Sequence, residues 1–190
     1  MTGIVRHPQP EEVSVIAGLI NLCAVVRTGS LQITVGQLRA LWASPGFELA
    51  RDAWLLVGTD GLPLGYAELW RHPEGEPGPY MWLHVRPAPD AAQVAAVLLA
   101  RVEAAVRAGL CEADHVALRA LTAGRDQDSR RHFLQAGFHL ADRRWMTLDK
   151  THRSEAAHET VCVLCRTFMP HEEAGPQLWR YDVLEKDLVN

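Results

Sequence analysis

Hydrophobic positions along the chain switch period several times, and each switch marks an element. Ile4-Val5-Arg6 reads as a short strand that His7-Pro8-Gln9-Pro10 breaks. Glu11-Glu12 then opens a helix with Val15, Ile16, Leu19, Ile20 and Cys23 at helical spacing. Thr34 is placed to cap a second helix carrying Val35, Leu38, Leu41 and Trp42, which must end before Pro45. Residues 53–57 and 64–70 predict two antiparallel strands joined by the polar turn Thr59-Asp60-Gly61. Beyond a Gly/Pro/Glu-rich loop, Tyr80–Val85 predicts a third strand, ending at Arg86-Pro87. From Asp90 to Ala108 the period becomes 3.6, with Asp90 placed as cap and Gly109 as terminator. Residues 116–121 predict a strand, 126–136 a helix closed by Gly137, and 138–148 a further strand. The order β-αα-βββ-α-β-α-β is an α/β (α+β) arrangement spanning residues 1–150, about one domain.

Residues 151–190 read as an extension. A polar linker precedes an expected strand over 161–168 and an expected helix over about 174–188, the latter from Leu178, Tyr181, Leu184 and Leu188. A lone strand and helix cannot bury their apolar faces, so the extension is expected to dock on the domain or on the partner of a homodimer.

Charge narrows the partners. The chain has 190 residues and a formal net charge of −4, and its only lysines are Lys150 and Lys186. No global basic field exists to hold nucleic acid or an anionic membrane, so any phosphate group must be bound locally. The apolar stretch Val13–Val26 is too short to span a bilayer and follows acidic residues, which points to a cytoplasmic protein. Cys23, Cys111, Cys162 and Cys165 then default to reduced thiols. His158, Cys162, Cys165 and His171 make a tempting metal set. In the expected strand, however, Cys162 and Cys165 point to opposite faces, so no metal is expected.

The element order resembles the GCN5-related N-acetyltransferase superfamily. Two local signatures carry the resemblance: Leu83-His84-Val85-Arg86-Pro87 followed by the long helix, and Phe133-Leu134-Gln135-Ala136-Gly137-Phe138. The resemblance implies a mixed, mostly antiparallel sheet with helices on both faces and acetyl-CoA as cosubstrate. It further implies an amine acceptor, small molecule or peptide, that attacks the thioester directly. The free edge of the fourth strand would fall at Leu83, His84 and Val85, and a backbone N–H there would polarise the thioester carbonyl. The pyrophosphate would sit at Asp90-Ala91-Ala92-Gln93-Val94-Ala95, where a helix N-terminus substitutes for basic surface. This loop departs from the family's Gln/Arg-x-x-Gly-x-Gly/Ala pattern. Asp126 lies where the family often has an Asn that contacts the cofactor. Phe133 stands at the position of the family's general-acid Tyr. These departures also admit a different reading, a catalytically inactive module that binds a ligand or dimerises. The extension's expected strand, Pro170 with Glu172-Glu173, and helix resemble the opening of a second such repeat.

Transfer to an amine requires a proton acceptor. Glu68, expected on the same strand face as Tyr66 and Trp70, is one candidate, against the alternative of a solvent-facing strand glutamate. His84 is the other, against a histidine whose backbone alone matters.

Overall fold

The computed structural model describes residues 3–29, 32–71, 79–109, 115–123, 126–147 and 178–189. Seven strands form one sheet in the order β1-β2-β3-β4-β5-β7-β6, where β1 is Gly3–Arg6, β2 Ala53–Gly58, β3 Pro63–Trp70, β4 Tyr80–Val85, β5 His115–Ala123, β6 His139–Thr147 and β7 Leu178–Val189. All neighbours run antiparallel except β4 and β5. Helices α1 (Val13–Thr28), α2 (Val35–Trp42) and the short α3 (Leu49–Asp52) precede β2, while α4 (Ala91–Ala108) and α5 (Gln127–Gln135) follow β4 and β5. No helix among the described residues is long and apolar enough to cross a membrane.

Strand alternation divides the core into two layers. Tyr66, Trp70, Tyr80 and Trp82 pack on one face with Ile16, Ile20 and Leu38 of α1 and α2. Met81, Leu83 and Val85 pack on the other with Val94, Leu98 and Phe133 of α4 and α5. Thr34 caps α2 as its sequence position predicts, with its hydroxyl accepting from the Gln37 N–H at 3.2 Å and the Gln37 side chain returning the bond. Gly65 lets α4 approach β3 closely: a Cβ there would stand 2.7 Å from Leu98 and Val94 side-chain atoms.

Residues 178–189 correct the expected C-terminal helix. They form strand β7, inserted between β5 and β6 with an unbroken register from His115↔Val189 to Ala123↔Tyr181 on one side. Leu184 and Leu188, four apart, satisfy helical spacing, but an even separation also puts both on one face of a strand. Here both lie fully buried in the α4–α5 layer. Cross-strand chemistry fixes the register. Arg119 of β5 donates to Glu185, its direct partner on β7, at 2.6 Å. Lys186 reaches Glu103 of α4 at 2.8 Å and the Ala136 carbonyl at the end of α5 at 2.7 Å. The segment thus belongs to the interior of this sheet rather than opening a second one. The strand expected over 161–168 and the His158/Cys162/Cys165/His171 set lie outside the described residues, as does Cys111.

If β7 is a core strand, Leu184→Ala should lower unfolding free energy by about 2–5 kcal/mol, the usual range for truncating a buried leucine. Chemical denaturation would read this, and a change under about 0.5 kcal/mol, typical of a surface site, would contradict the placement.

Candidate active site

The site is built on the divergence of two parallel strands. β4 pairs with β5 only through Tyr80↔Arg119 and Met81↔Ala120, and the Arg119 N–H donates to the Pro79 carbonyl at 2.9 Å. Beyond Met81 the two strands part. The β3–β4 ladder runs on from Trp70↔Tyr80 to Gly65↔Val85, and the Arg86 N–H donates to the Leu64 carbonyl at 2.9 Å. Backbone groups alternate sides along a strand, so those of Tyr80, Trp82 and His84 face β3, while those of Met81, Leu83 and Val85 face β5. The expected free edge at residues 83–85 is therefore supplied by Leu83 and Val85 alone. The His84 backbone is directed into the β3 ladder.

The carbonyl of Val85 is not left bare. Cys23 Sγ donates to it at 3.1 Å, and Arg27 Nη2 lies 3.4 Å away, both from α1. Arg27 also pairs through Nη1 with Asp126 Oδ2 at 2.9 Å. Asp126 caps α5, its Oδ1 accepting from the Ser129 N–H at 2.9 Å. Burial and the Asp126 charge outweigh Arg27 and push the Cys23 thiol up to about 11, so it remains a neutral donor. His132 of α5 is buried in the same region, with an Nδ1 that has no hydrogen-bond partner among the described residues.

On the α1–α2 face lies a second polar group. The Trp42 indole N–H donates to the Tyr66 hydroxyl at 3.0 Å, and that hydroxyl donates to Glu68 Oε2 at 2.9 Å. Glu68 is 1% exposed, which excludes the solvent-facing alternative. Burial raises its pKa from 4.5 to about 7, against the opposing pull of the Trp70 and Tyr66 side chains. The Tyr66 ring stacks on His84 with centroids 6.4 Å apart, so the two candidate proton acceptors share one face with Tyr66 between them. They are not equivalent. Burial and the Arg27 charge lower the His84 pKa to about 3. The ring is therefore neutral near physiological pH, and the expectation that it accepts a proton there is corrected.

The helix start after β4 is less open than its sequence suggests. Asp90 occupies the cap position of α4, but its side chain makes no capping bond, contrary to expectation. The Ala91 N–H is bonded to the Ala88 carbonyl, and the Gln93 and Val94 N–H groups to the Asp90 carbonyl, all at 3.0–3.1 Å. Ala92 and Gln93 are exposed, whereas Val94 and Ala95 are buried. Phe133 is buried edge-on against Phe138, centroids 5.1 Å apart, as a member of the core. Sequence reasoning missed Arg27, Tyr66 as a relay and His132. Arg27 had a signal: it continues the buried stripe Ile16, Ile20, Cys23 at i+4, an unusual place for a charge.

No protein-family model and no curated protein matches this sequence. Solved structures do match. A GCN5-related N-acetyltransferase from Sphaerobacter thermophilus superposes with a TM-score of 0.66 at 21% identity, over 78% of this chain and 48% of that one, so this chain spans about half of that protein. A putative acetyltransferase from Salmonella typhimurium, solved with its cofactor acetyl-CoA, gives 0.60 at 15% identity over 100% and 94%. A phosphinothricin acetyltransferase from Sinorhizobium meliloti, in complex with acetyl-CoA, gives 0.62 at 12% identity over 100% and 90%. The chain has the GCN5-related N-acetyltransferase fold.

A raised carboxyl pKa fixes the sign of a pH effect. Between 4.5 and about 7 the folded state binds the Glu68 proton that the unfolded state has released. The stability contributed by the neutral acid is thus full below 4.5 and is lost as pH rises through 7. Glu68→Gln should remove this loss, on the order of 3 kcal/mol. Denaturant midpoints at pH 4.5 and 8 would show the variant gaining on the parent at the higher pH; parallel profiles would refute the assignment.

Proposed function

We propose that the chain is an acetyl-CoA-dependent N-acetyltransferase that acts on a small-molecule or peptide amine by direct attack. The divergence of β4 from β5 carries this reading. Leu83 and Val85 direct backbone N–H groups into a gap that no strand among the described residues fills, and a pantetheine arm, an extended chain of amides, can pair with such an edge as an added strand. Two of the structural neighbours are described as holding acetyl-CoA, which supports the same ligand here.

The residues present fit this ligand at the pantetheine end. Bound acetyl-CoA would supply an activated acetyl thioester. One of the N–H groups of Leu83 and Val85 would donate to the thioester carbonyl, where negative charge develops, and the other to a carbonyl of the pantetheine arm. At the phosphate end the 18-residue helix α4 contributes the positive end of its dipole and the small exposed Ala92, and no acidic residue occupies its first turn. Asp126 would help indirectly rather than as a direct contact, since both its oxygens are engaged by Arg27 and Ser129.

Glu68 is the proton acceptor in this reading. With a pKa near 7 it can take the proton lost by the amine, through the Tyr66 hydroxyl that already donates to it. His84 stays neutral and orients Tyr66 by stacking. A second reading, a ligand-binding relative without turnover, draws on Phe133, which is buried in the core and has no hydroxyl to act as acid.

Acetyl-CoA at about 100 times its dissociation constant should stabilise the protein by roughly 2.7 kcal/mol, read as a rise in unfolding temperature. Ala92→Glu should abolish the rise by placing charge at the phosphate end. No shift at millimolar ligand overturns the proposal. Acetylation of a panel of primary amines, followed by mass spectrometry, separates the two readings. Under the enzyme reading, Glu68→Gln should slow the reaction by about 10²–10⁴-fold at neutral pH, whereas ligand binding without acetylation of any amine supports the inactive relative.

A further inference from the structure

Arg27 occupies the one place where α1, the open end of β4 and the start of α5 meet. Its guanidinium forks, with Nη1 2.9 Å from Asp126 Oδ2 and Nη2 3.4 Å from the Val85 carbonyl. The side chains of Arg27 and Asp126 are 11% and 8% exposed, so this is a shielded pair rather than a solvent-screened surface contact. Asp126 is itself held, because its other oxygen accepts from the Ser129 N–H.

The acceptor at the end of the fork is informative. By strand alternation the Val85 carbonyl faces the β5 side of β4, four residues beyond the last β4 position that β5 pairs, Met81. β5 has already turned away after Met81↔Ala120. An orphaned carbonyl in a buried strand carries a desolvation penalty and favours whatever rearrangement satisfies it, including closure of the gap. Arg27 and Cys23 satisfy it from α1 instead. The neighbouring N–H groups of Leu83 and Val85 then remain directed into the gap without the strands having to close.

We propose that Arg27, locked by Asp126, is a positioning residue that holds the open edge of β4 in its ligand-ready form by satisfying the Val85 carbonyl from α1. The inference rests on the acetyl-CoA reading and deepens it. It separates two roles of the same strand end: the carbonyl is satisfied from within the protein, while the amides are kept for the ligand.

A fork is required, because one group must reach two acceptors on different elements. Lysine in its place keeps the charge opposite Asp126 but presents a point donor in place of a rigid planar fork. At position 126, asparagine has one oxygen where aspartate uses two, so it can keep the Ser129 cap only with its amide –NH2 toward the Arg27 guanidinium, and alanine can accept from neither.

The test is titration of coenzyme A into the full chain by calorimetry, with unfolding temperatures measured alongside so that every titration is done on folded protein. Arg27→Lys and Asp126→Ala should each weaken coenzyme A binding by about tenfold or more, the equivalent of one charge-assisted hydrogen bond. Asp126→Asn, which keeps the α5 cap through its one oxygen but turns its amide –NH2 toward Arg27, should weaken binding as Arg27→Lys does. A purely structural pair would lower the unfolding temperature and leave the affinity of the folded protein unchanged, and that result would overturn the proposal. Should Asp126→Ala fail to fold, Arg27→Lys and Asp126→Asn decide alone. If the parent itself does not bind coenzyme A, the acetyl-CoA reading falls and takes this one with it. If the parent binds and both Arg27→Lys and Asp126→Asn bind equally well, only the positioning role is lost.

Discussion

A parallel strand pair that parts midway leaves ladder groups that must be satisfied or kept accessible, and this constraint organises the rest of the molecule. Each backbone donor or acceptor stranded in a buried sheet costs on the order of 1–3 kcal/mol if unpaired. The chain resolves the problem asymmetrically. On the acceptor side, the Val85 carbonyl is met by Cys23 and Arg27. On the donor side, Leu83 and Val85 are without a β5 partner. Placing α1 against β4 and α5 beyond β5 therefore does more than cover the sheet. The two helices supply the charged pair, Arg27 and Asp126, that ties the end of β4 to the start of α5.

The buried polar group on the opposite end of the question, Trp42, Tyr66 and Glu68, illustrates a different balance. A carboxylate at 1% exposure with no cation beside it among the described residues is disfavoured, and the structure answers by raising its pKa to about 7 rather than by pairing it. Compare Asp52, no more exposed but less deeply enclosed, which is flanked by Arg51 at 2.7 Å and Arg71 at 3.2 Å and whose pKa is lowered. The same residue class, at the same exposure, is charged in one place and poised to titrate near neutrality in the other. A fold that needed Glu68 only for stability would gain from a cation or an apolar isostere there. Retaining an unpaired acid that titrates near 7 is the arrangement suited to proton exchange.

Much of the fold was legible because period and punctuation agreed. Alternation marked β2 to β4, the 3.6 spacing from Val94 to Val106 marked α4, and Thr34 and Gly137 marked helix ends. The C-terminal strand was misread for a specific reason. Leu184 and Leu188 share a face under either period, and only the ion pairs across to β5 and α4, which are tertiary facts, distinguish the two. The site was legible in outline. Glu68 lies on the strand face of Tyr66, as alternation predicts, and the β4–β5 ladder ends just before residues 83–85. Which of the three amides is free depends on ladder parity, and which of the two side chains titrates near neutrality depends on burial and on Arg27, 57 residues away along the chain from His84. Neither is written in local sequence.

The absence of a hydroxyl at Phe133 bears on the proposed chemistry less than it first suggests. Two proton transfers are needed in acetyl transfer to an amine, and they are not equally demanding. A departing thiolate has a conjugate acid with a pKa of about 8.5, so near neutral pH it can leave as the anion and gain its proton from water afterwards. An alkylammonium, with a pKa of about 10.4, holds its proton against water and cannot attack until it is removed. The difficult step is therefore removal of the amine proton, and that is the step the proposed reaction assigns to Glu68. Transfer from such an amine to an acceptor titrating at about 7 is uphill by about three pKa units, roughly 4–5 kcal/mol. That is a modest fraction of an ordinary catalytic barrier. An unshifted carboxyl, with a pKa near 4.5, would roughly double the gap, so the burial that destabilises the Glu68 carboxylate also makes it the better base.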